Sequence, residues 1–364
     1  NLSGTGSGNI ALSGTFTNTG TTTINLATSR QIVFSGNISG SGTLDFCGLG
    51  GAATQARFEK GSFENFNGEI KISGAVYVGL FGANSDLSNV TASSTNGSIF
   101  LVGDDTSSTF QLGSVSFTNS TAEIRPGGSS TALTTLQIGD LGNNDVFASK
   151  FNDYGNKQLA VEKVGTGTLT ISGSEHTFTG GLSVTAGKVV VSGEIKTSEV
   201  TVGTAGTLEV TGTVKTVKNS GLLISSGVSS VVDSLEVTST GRLLVTDGTV
   251  STPLLVRTDL DYGDLFSVEF DFEDYTEYDG EEIVFLETVE TVADMLTVEF
   301  SGSGTGWQYS TRSLDGSVLH IATLGGGGAD VPEPSTWVLL LSSLVAGAFG
   351  RRVLYSKNGG KQCI

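Results

Sequence analysis

Gly167-Thr-Leu-Thr-Ile-Ser-Gly173 is followed by Gly187-Lys-Val-Val-Val-Ser-Gly193, Gly206-Thr-Leu-Glu-Val-Thr-Gly212, Gly221-Leu-Leu-Ile-Ser-Ser-Gly227 and Gly241-Arg-Leu-Leu-Val-Thr-Asp-Gly248. One phrase recurs about every 15 to 20 residues: Gly, a variable residue, an alternating apolar run, then Ser or Thr and a closing Gly. Within each phrase the apolar residues have period 2. Leu169 and Ile171 therefore point one way and their Thr neighbours the other, as in a short strand with one buried face.

Weaker copies stand at Gly8-Asn-Ile-Ala-Leu-Ser-Gly14 and Gly42-Thr-Leu-Asp-Phe46, and a second short strand often precedes the phrase, as in Leu182-Ser-Val-Thr-Ala-Gly187. No repeat shows helical periodicity with caps, so the crossovers must be tight glycine turns. Two or three short strands per period with glycine corners describe one rung of a solenoid. The spacing predicts an all-β, right-handed parallel β-helix over residues 1–253. At roughly 20 to 25 residues per rung it has roughly ten to twelve rungs, about 4.8 Å apart, and a length on the order of 50 Å. A β-sandwich or a row of small antiparallel domains is the competing architecture.

Composition supports an extended repetitive protein. There are 52 Gly but only 4 Pro, 1 Met and 2 His, so neither a collagen-like nor a Pro-rich chain fits. A net charge of −18, from 37 acidic against 19 basic residues, makes nucleic acid an improbable partner, since phosphate binding needs clustered Lys and Arg. Cys47 and Cys363 lie at opposite ends of the sequence and do not suggest a structural disulfide. The chain opens at Asn1 without a basic and apolar leader, so an upstream signal peptide is expected.

The stretch from Gly165 to Ser192, with its two glycine phrases and the intervening His176-Thr-Phe-Thr-Gly-Gly181, resembles the autotransporter-associated β-strand repeat. Gly42 through Gly74, with Phe66-Asn-Gly68 and Ile70-Lys-Ile72, is similar to a degenerate copy. The resemblance implies a passenger-like β-helix displayed outside the cell, without a particular activity. No terminal set of alternating membrane strands follows the repeats, unlike a true autotransporter.

Beyond Pro253, Phe, Tyr and acidic residues replace the Gly and Thr rhythm, and no Lys or Arg occurs from Asp259 to Glu299. Alternation persists in Phe266-Ser-Val-Glu-Phe-Asp-Phe272. Residues 254–324 are therefore expected to form a β cap that closes the open end of the solenoid.

A Gly-rich linker, 325–330, leads into Val331-Pro-Glu-Pro334, then the uncharged run Trp337 to Gly350, then Arg351-Arg352. That run, with Leu340, Leu344 and Phe349 among its apolar residues, spans about 20 Å as a helix, against about 30 Å of bilayer hydrocarbon. Arg351 and Arg352 would hold its far end in the cytoplasm, and Trp337 suits the opposite interface. A short buried helix or plain membrane anchor would share this hydropathy, but the order of parts over 331–352 resembles the PEP-CTERM sorting signal. The resemblance implies an exosortase that recognises Pro332-Glu333-Pro334 and cuts nearby, with a transient stay at the inner membrane before release to the envelope, surface or matrix. A tail of basic character, 353–364, is longer than such signals usually carry.

No catalytic constellation is evident. His176 sits in a variable turn of the matched repeat and His320 alternates in Val318-Leu-His-Ile321, so both read as ordinary solvent-facing or strand positions. Neither a paired-Cys motif nor a His pair at metal-ligand spacing occurs, and no cofactor is expected. Asp259, Asp261, Asp264, Asp271, Asp274 and Asp279 could offer oxygens to Ca²⁺ but match no calcium-loop pattern, and solvated strand edges explain them better. The expected function is a structural or adhesive surface protein, with extracellular polysaccharide or glycans as candidate partners. The competing class is a polysaccharide-acting β-helix enzyme, which Asp or Glu grouped with Arg or Lys on one solenoid face would favour.

Overall fold

The computed structural model describes residues 2–325, apart from 4–9, 27–30, 49–53, 60–62, 64, 83–84, 104–106, 129–130, 227–229, 251, 264, 275–277, 279–280, 290–295 and 305. The fold is an all-β parallel solenoid of about 11 turns. The sorting-signal run, including Trp337, lies outside the described residues. Among the described residues no helix is long and apolar enough to cross a membrane.

Each turn passes over three faces. The first face begins with Leu2–Ser3, Thr21–Leu26, Thr43–Gly48 and Glu69–Ile72, paired in parallel. The second is a seven-stranded sheet from Ile10–Leu12 to Lys150–Phe151. The third face carries Phe16–Thr17, Ile38–Gly40 and Asn65–Phe66 in the early turns, and Thr134–Ile138 and Leu159–Lys163 later. From residue 182 the corners tighten until strands run around them, and Glu194–Val210 contributes to three faces with a register shift between Ile195 and Glu199.

Parallel register stacks like on like. On the first face the partners run Ile24, Phe46, Ile72, Ser94, Phe117, Phe147, Ile171, Val191 and Val210, one per turn. All of them are buried, so period-2 alternation along the strand becomes an apolar column along the axis, interrupted at Ser94, whose hydroxyl donates to the Gly97 carbonyl at 2.7 Å. Truncating Ile24, Ile72 or Ile171 to Ala would cost about 2–5 kcal/mol, the transfer term plus the cavity left between turns. The recurring phrases of the sequence are the first-face strands: Gly187 pairs with Gly206, Lys188 with Thr168 and with Thr207.

The closing glycines make the corners. A Cβ on Gly193 would overlap the carbonyl oxygen of Gly173 in the adjacent turn, and one on Gly212 would overlap that of Gly193. Glycine is required there for close approach of successive backbones. Outside, polar side chains pair between turns, as in Gln31 to Gln55 at 2.8 Å, Gln111 to Gln137 at 3.0 Å and Gln137 to Glu162 at 2.8 Å.

Parallel pairing continues past the change in composition. Leu254–Asp261 pairs with Glu282–Val289, and Phe266–Asp271 with Val298–Gly302. The boundary expected at 253/254 thus falls inside the parallel stack, because strand pairing depends on alternation and backbone hydrogen bonds, which the acidic segment keeps. Among the described residues, antiparallel strand pairing is found in the hairpin Trp307–Leu314 and Ser317–Leu324, whose second strand also pairs along Glu282–Val289, and an isolated antiparallel bridge joins Tyr154 and Lys157. Asp315 and Gly316, with φ of 47° and 86°, form its two-residue turn. Trp307 stacks on Phe270 at 4.2 Å, and Arg312 donates to both oxygens of Glu282 at 2.6 and 2.7 Å.

Candidate functional site

Burial sorts the titratable residues into those inside the solenoid and those on its faces. His176 is only 4% exposed, against the solvent-facing or strand reading of the sequence. In the turn 172–181 no strand forms on the second face, and the chain dips inward so that His176 and Phe178 fill the core beside Phe147 and Phe151. The Phe151 N–H donates to His176 Nδ1 at 3.0 Å, which leaves the ring proton on Nε2. Burial lowers its pKa to about 4, so the imidazole is neutral.

His320 is wholly buried in the closing hairpin. Its Nε2 meets Thr288 Oγ1 at 2.9 Å and its Nδ1 meets Tyr309 Oη at 2.7 Å, while the Leu296 N–H donates to the same phenol at 2.9 Å. Both ring nitrogens of His320 are thus met by hydroxyl groups, and the phenol also accepts from Leu296. Burial again lowers the pKa to about 4. Neither histidine takes a hydrogen bond to a carboxylate, so the arrangement of a nucleophile-activating triad is not formed around either.

A further polar group lies at the corner between the third and first faces. Lys163 has no exposed surface and donates from Nζ to the carbonyls of Val164 and Gly165, at 2.5 and 3.0 Å. Burial lowers its pKa, opposed by Asp145 and Asp140. Asp145, also buried, accepts from Ser114 Oγ at 2.5 Å, and burial raises its pKa against that hydrogen bond. These groups are enclosed, so they hold the corner together and offer no surface to a substrate.

The outer surface of the second face carries a stripe of aromatic and arginine side chains. Phe100 pairs in register with Arg125 and with Gly79, which pairs with Arg57. The burial alternation turns Arg57, Tyr77, Phe81, Phe100 and Arg125 outward. Tyr77 stacks on Phe100 at 4.5 Å, and the Arg125 guanidinium lies between Phe100, at 4.2 Å, and Tyr154, at 3.8 Å. Arg57 covers Phe81 at 3.7 Å. Tyr154 closes the series in a turn held by its two hydrogen bonds to Lys157, and it is 49% exposed. Alternation could have revealed this stripe: Phe100 between Ile99 and Leu101 must face away from them.

Carboxylates and cations do group on this face. Arg57 pairs with Glu59 and Arg125 with Glu123, each at 2.7 Å, and Lys150 pairs with Glu175, which its partner holds below the usual carboxylate range. A general acid needs a raised pKa, and the Glu175 carboxylate is shifted the other way. In the acidic segment Asp259, Asp261, Asp271 and Asp274 are exposed, and among the described residues no group of three His, Cys, Asp or Glu could hold a metal ion. Asp264, Asp279, Val331, Pro332, Glu333, Pro334, Leu340, Leu344, Phe349, Arg351 and Arg352 lie outside the described residues.

Two families match parts of the chain. Residues 161–191 match the passenger-associated-transport-repeat, and 330–353 match the PEP-CTERM protein-sorting motif. No curated protein matches the chain. The repeat corresponds to one turn and its continuation: it opens in Leu159–Lys163, crosses the first face at Thr168–Ile171, encloses His176 and Phe178, and ends on the first face at Val191. The sorting motif implies processing by an exosortase, and the two motifs together support an exported protein of the cell envelope or surface. The chain is thus an exported parallel β-solenoid that carries a passenger-associated-transport repeat at 161–191 and a PEP-CTERM protein-sorting motif at 330–353.

Proposed function

We propose that this protein is a structural or adhesive component of the cell surface or extracellular matrix, without catalytic activity of its own, delivered there by an exosortase. The observation that carries the reading is the order of parts: a long solenoid, then a sorting motif at 330–353. The exosortase recognises Pro332-Glu333-Pro334 while the run from Trp337 to Gly350 sits in the inner membrane and Arg351 and Arg352 stay cytoplasmic. Cleavage near Val331 frees the solenoid for contact with extracellular polysaccharide or glycans. The hairpin 307–324 serves as its cap, pairing with a strand edge that would otherwise template association with other chains.

One tag within the repeats and one after Lys357, followed through cell fractionation with and without active exosortase, tests this directly. The repeat tag is expected at the surface or in the medium, and the terminal tag to be lost, only when the exosortase is active. If both tags stay together in the inner membrane in either strain, the run is a plain anchor and the processing reading fails. The grouping of Glu123, Arg125, Lys150 and Glu175 is the feature a polysaccharide-acting enzyme would use. Release of reducing ends or unsaturated products from a polysaccharide by the purified protein would replace adhesion with catalysis.

A further inference from the structure

We infer that the outer stripe of the second face, Arg57–Phe81 and Tyr77–Phe100–Arg125–Tyr154, is a binding site for a neutral polysaccharide lying along the solenoid axis. This rests on the proposal that the protein contacts glycans, and adds where on the molecule and to which chemical class.

Three observations point to it. First, the stripe is linear: its members come from successive strands Gln55–Phe58, Tyr77–Phe81, Ser98–Val102 and Glu123–Pro126, then the turn at Tyr154. Four steps of about 4.8 Å make roughly 19 Å, long enough for several sugar rings of an extended polymer. Gly79 leaves a gap in the middle of the column, into which the Phe81 ring leans.

Second, apolar and polar edges alternate along it. Stacking uses ring faces within the series, so aromatic edges and the half-exposed Tyr154 ring are offered outward, between guanidinium N–H groups and the carboxylates of Glu59 and Glu123. Gln31 and Gln55, hydrogen-bonded to each other, add amides beside them. Sugar rings present the matching alternation of C–H surface and hydroxyls, which accept from guanidinium and donate to carboxylate.

Third, charge selects among polymers. Arg57, Arg125 and Lys150 are each neutralised by Glu59, Glu123 and Glu175, Lys157 lies over the Tyr154 ring at 5.2 Å, and the whole chain carries −18. An anionic polysaccharide or a nucleic acid would meet paired cations and net repulsion, whereas an uncharged polymer requires no counter-charge. The stacking also holds the side chains in place before a ligand arrives, which lowers the ordering cost of binding.

The test is binding of the purified full chain, with Tyr154→Ala, Tyr77→Ala and a first-face control, Thr170→Ala, to arrayed neutral and anionic glycans. Affinity electrophoresis in dextran, laminarin, xylan and alginate gives a second readout, and circular dichroism melts establish that the variants are folded. Neutral glycans are expected to bind, with Tyr154→Ala and Tyr77→Ala each weaker by about tenfold and Thr170→Ala unchanged. Neutral binding that neither Tyr variant weakens overturns the site but leaves glycan contact standing. Binding to anionic polymers alone overturns the chemical class. Absence of binding to any of them overturns the site and the glycan contact together, while delivery by the exosortase is judged separately by the tagged protein.

Discussion

Replacing His176 by Phe should flatten the loss of stability in acid by a calculable amount. In the native protein burial among Phe147, Phe151 and Phe178 lowers the histidine pKa to about 4, whereas in the unfolded chain it is near 6.5. Between those values the unfolded chain binds a proton that the native protein excludes. Stability therefore falls as pH drops through 6.5 and levels off below about 4. At about 1.4 kcal/mol per pH unit of separation the full effect is about 3 kcal/mol, and about 2 kcal/mol of it is reached by pH 5. His320 adds a loss of the same sign in both proteins, and Asp145, whose folded pKa is raised, opposes both at lower pH. Those contributions cancel in the difference between wild type and variant.

Near pH 8 His176→Phe leaves the Phe151 N–H without its acceptor, a cost of about 1–3 kcal/mol. The apolar ring recovers part of this by packing against the three phenylalanines. Urea unfolding from pH 8 to pH 5 should show the variant below the wild type at pH 8 and close to it at pH 5. A stability difference that stays constant across this range would mean that His176 titrates alike in both states, and would refute its placement as a buried neutral ring.

Two other substitutions probe the corner and the closing hairpin. Gly193→Ala should destabilise by about 1–3 kcal/mol, because its Cβ would overlap the Gly173 carbonyl. Gly20→Ala, which has nothing within 4 Å, should be neutral or gain about 0.4–1 kcal/mol; thermal melts of the pair check this. Tyr309→Phe removes the hydroxyl shared by His320 and Leu296 and should cost about 1–3 kcal/mol. Amide hydrogen exchange should accelerate across Ser317–Leu324 while the amides of Thr168–Ile171 keep their protection.

Much of this was legible beforehand at the level of a single turn. The glycine phrases read correctly as strands because alternation in Leu169 and Ile171, or Leu208 and Val210, is a local property. Leu314-Asp-Gly-Ser317, between alternating runs, carried a hairpin signal of the same local kind, which a composition-led reading of 254–324 passed over. The position of His176 was not legible. It sits in a turn without a strand, and only the course of the neighbouring turns shows that Phe147 and Phe151 leave a space for it. The outer stripe was half legible: alternation sends Phe100 outward, but nothing along the chain brings Tyr77, Arg125 and Tyr154 beside it.

Local spacing was enough to reveal the strands, the glycine corners, the solenoid class and the sorting motif, because each depends on residues a few positions apart. Across 167–248 the spacing of the phrases already matches the register between turns, whereas elsewhere that register is visible only in the folded solenoid. Strand partners on the first face are separated by as few as 15 residues, from Val210 to Ser225, and as many as 32, from Val268 to Phe300. Turn length is set by how each corner packs on the turn before it. That register aligns the outer side chains into one surface, and places two histidines and a lysine where water does not reach.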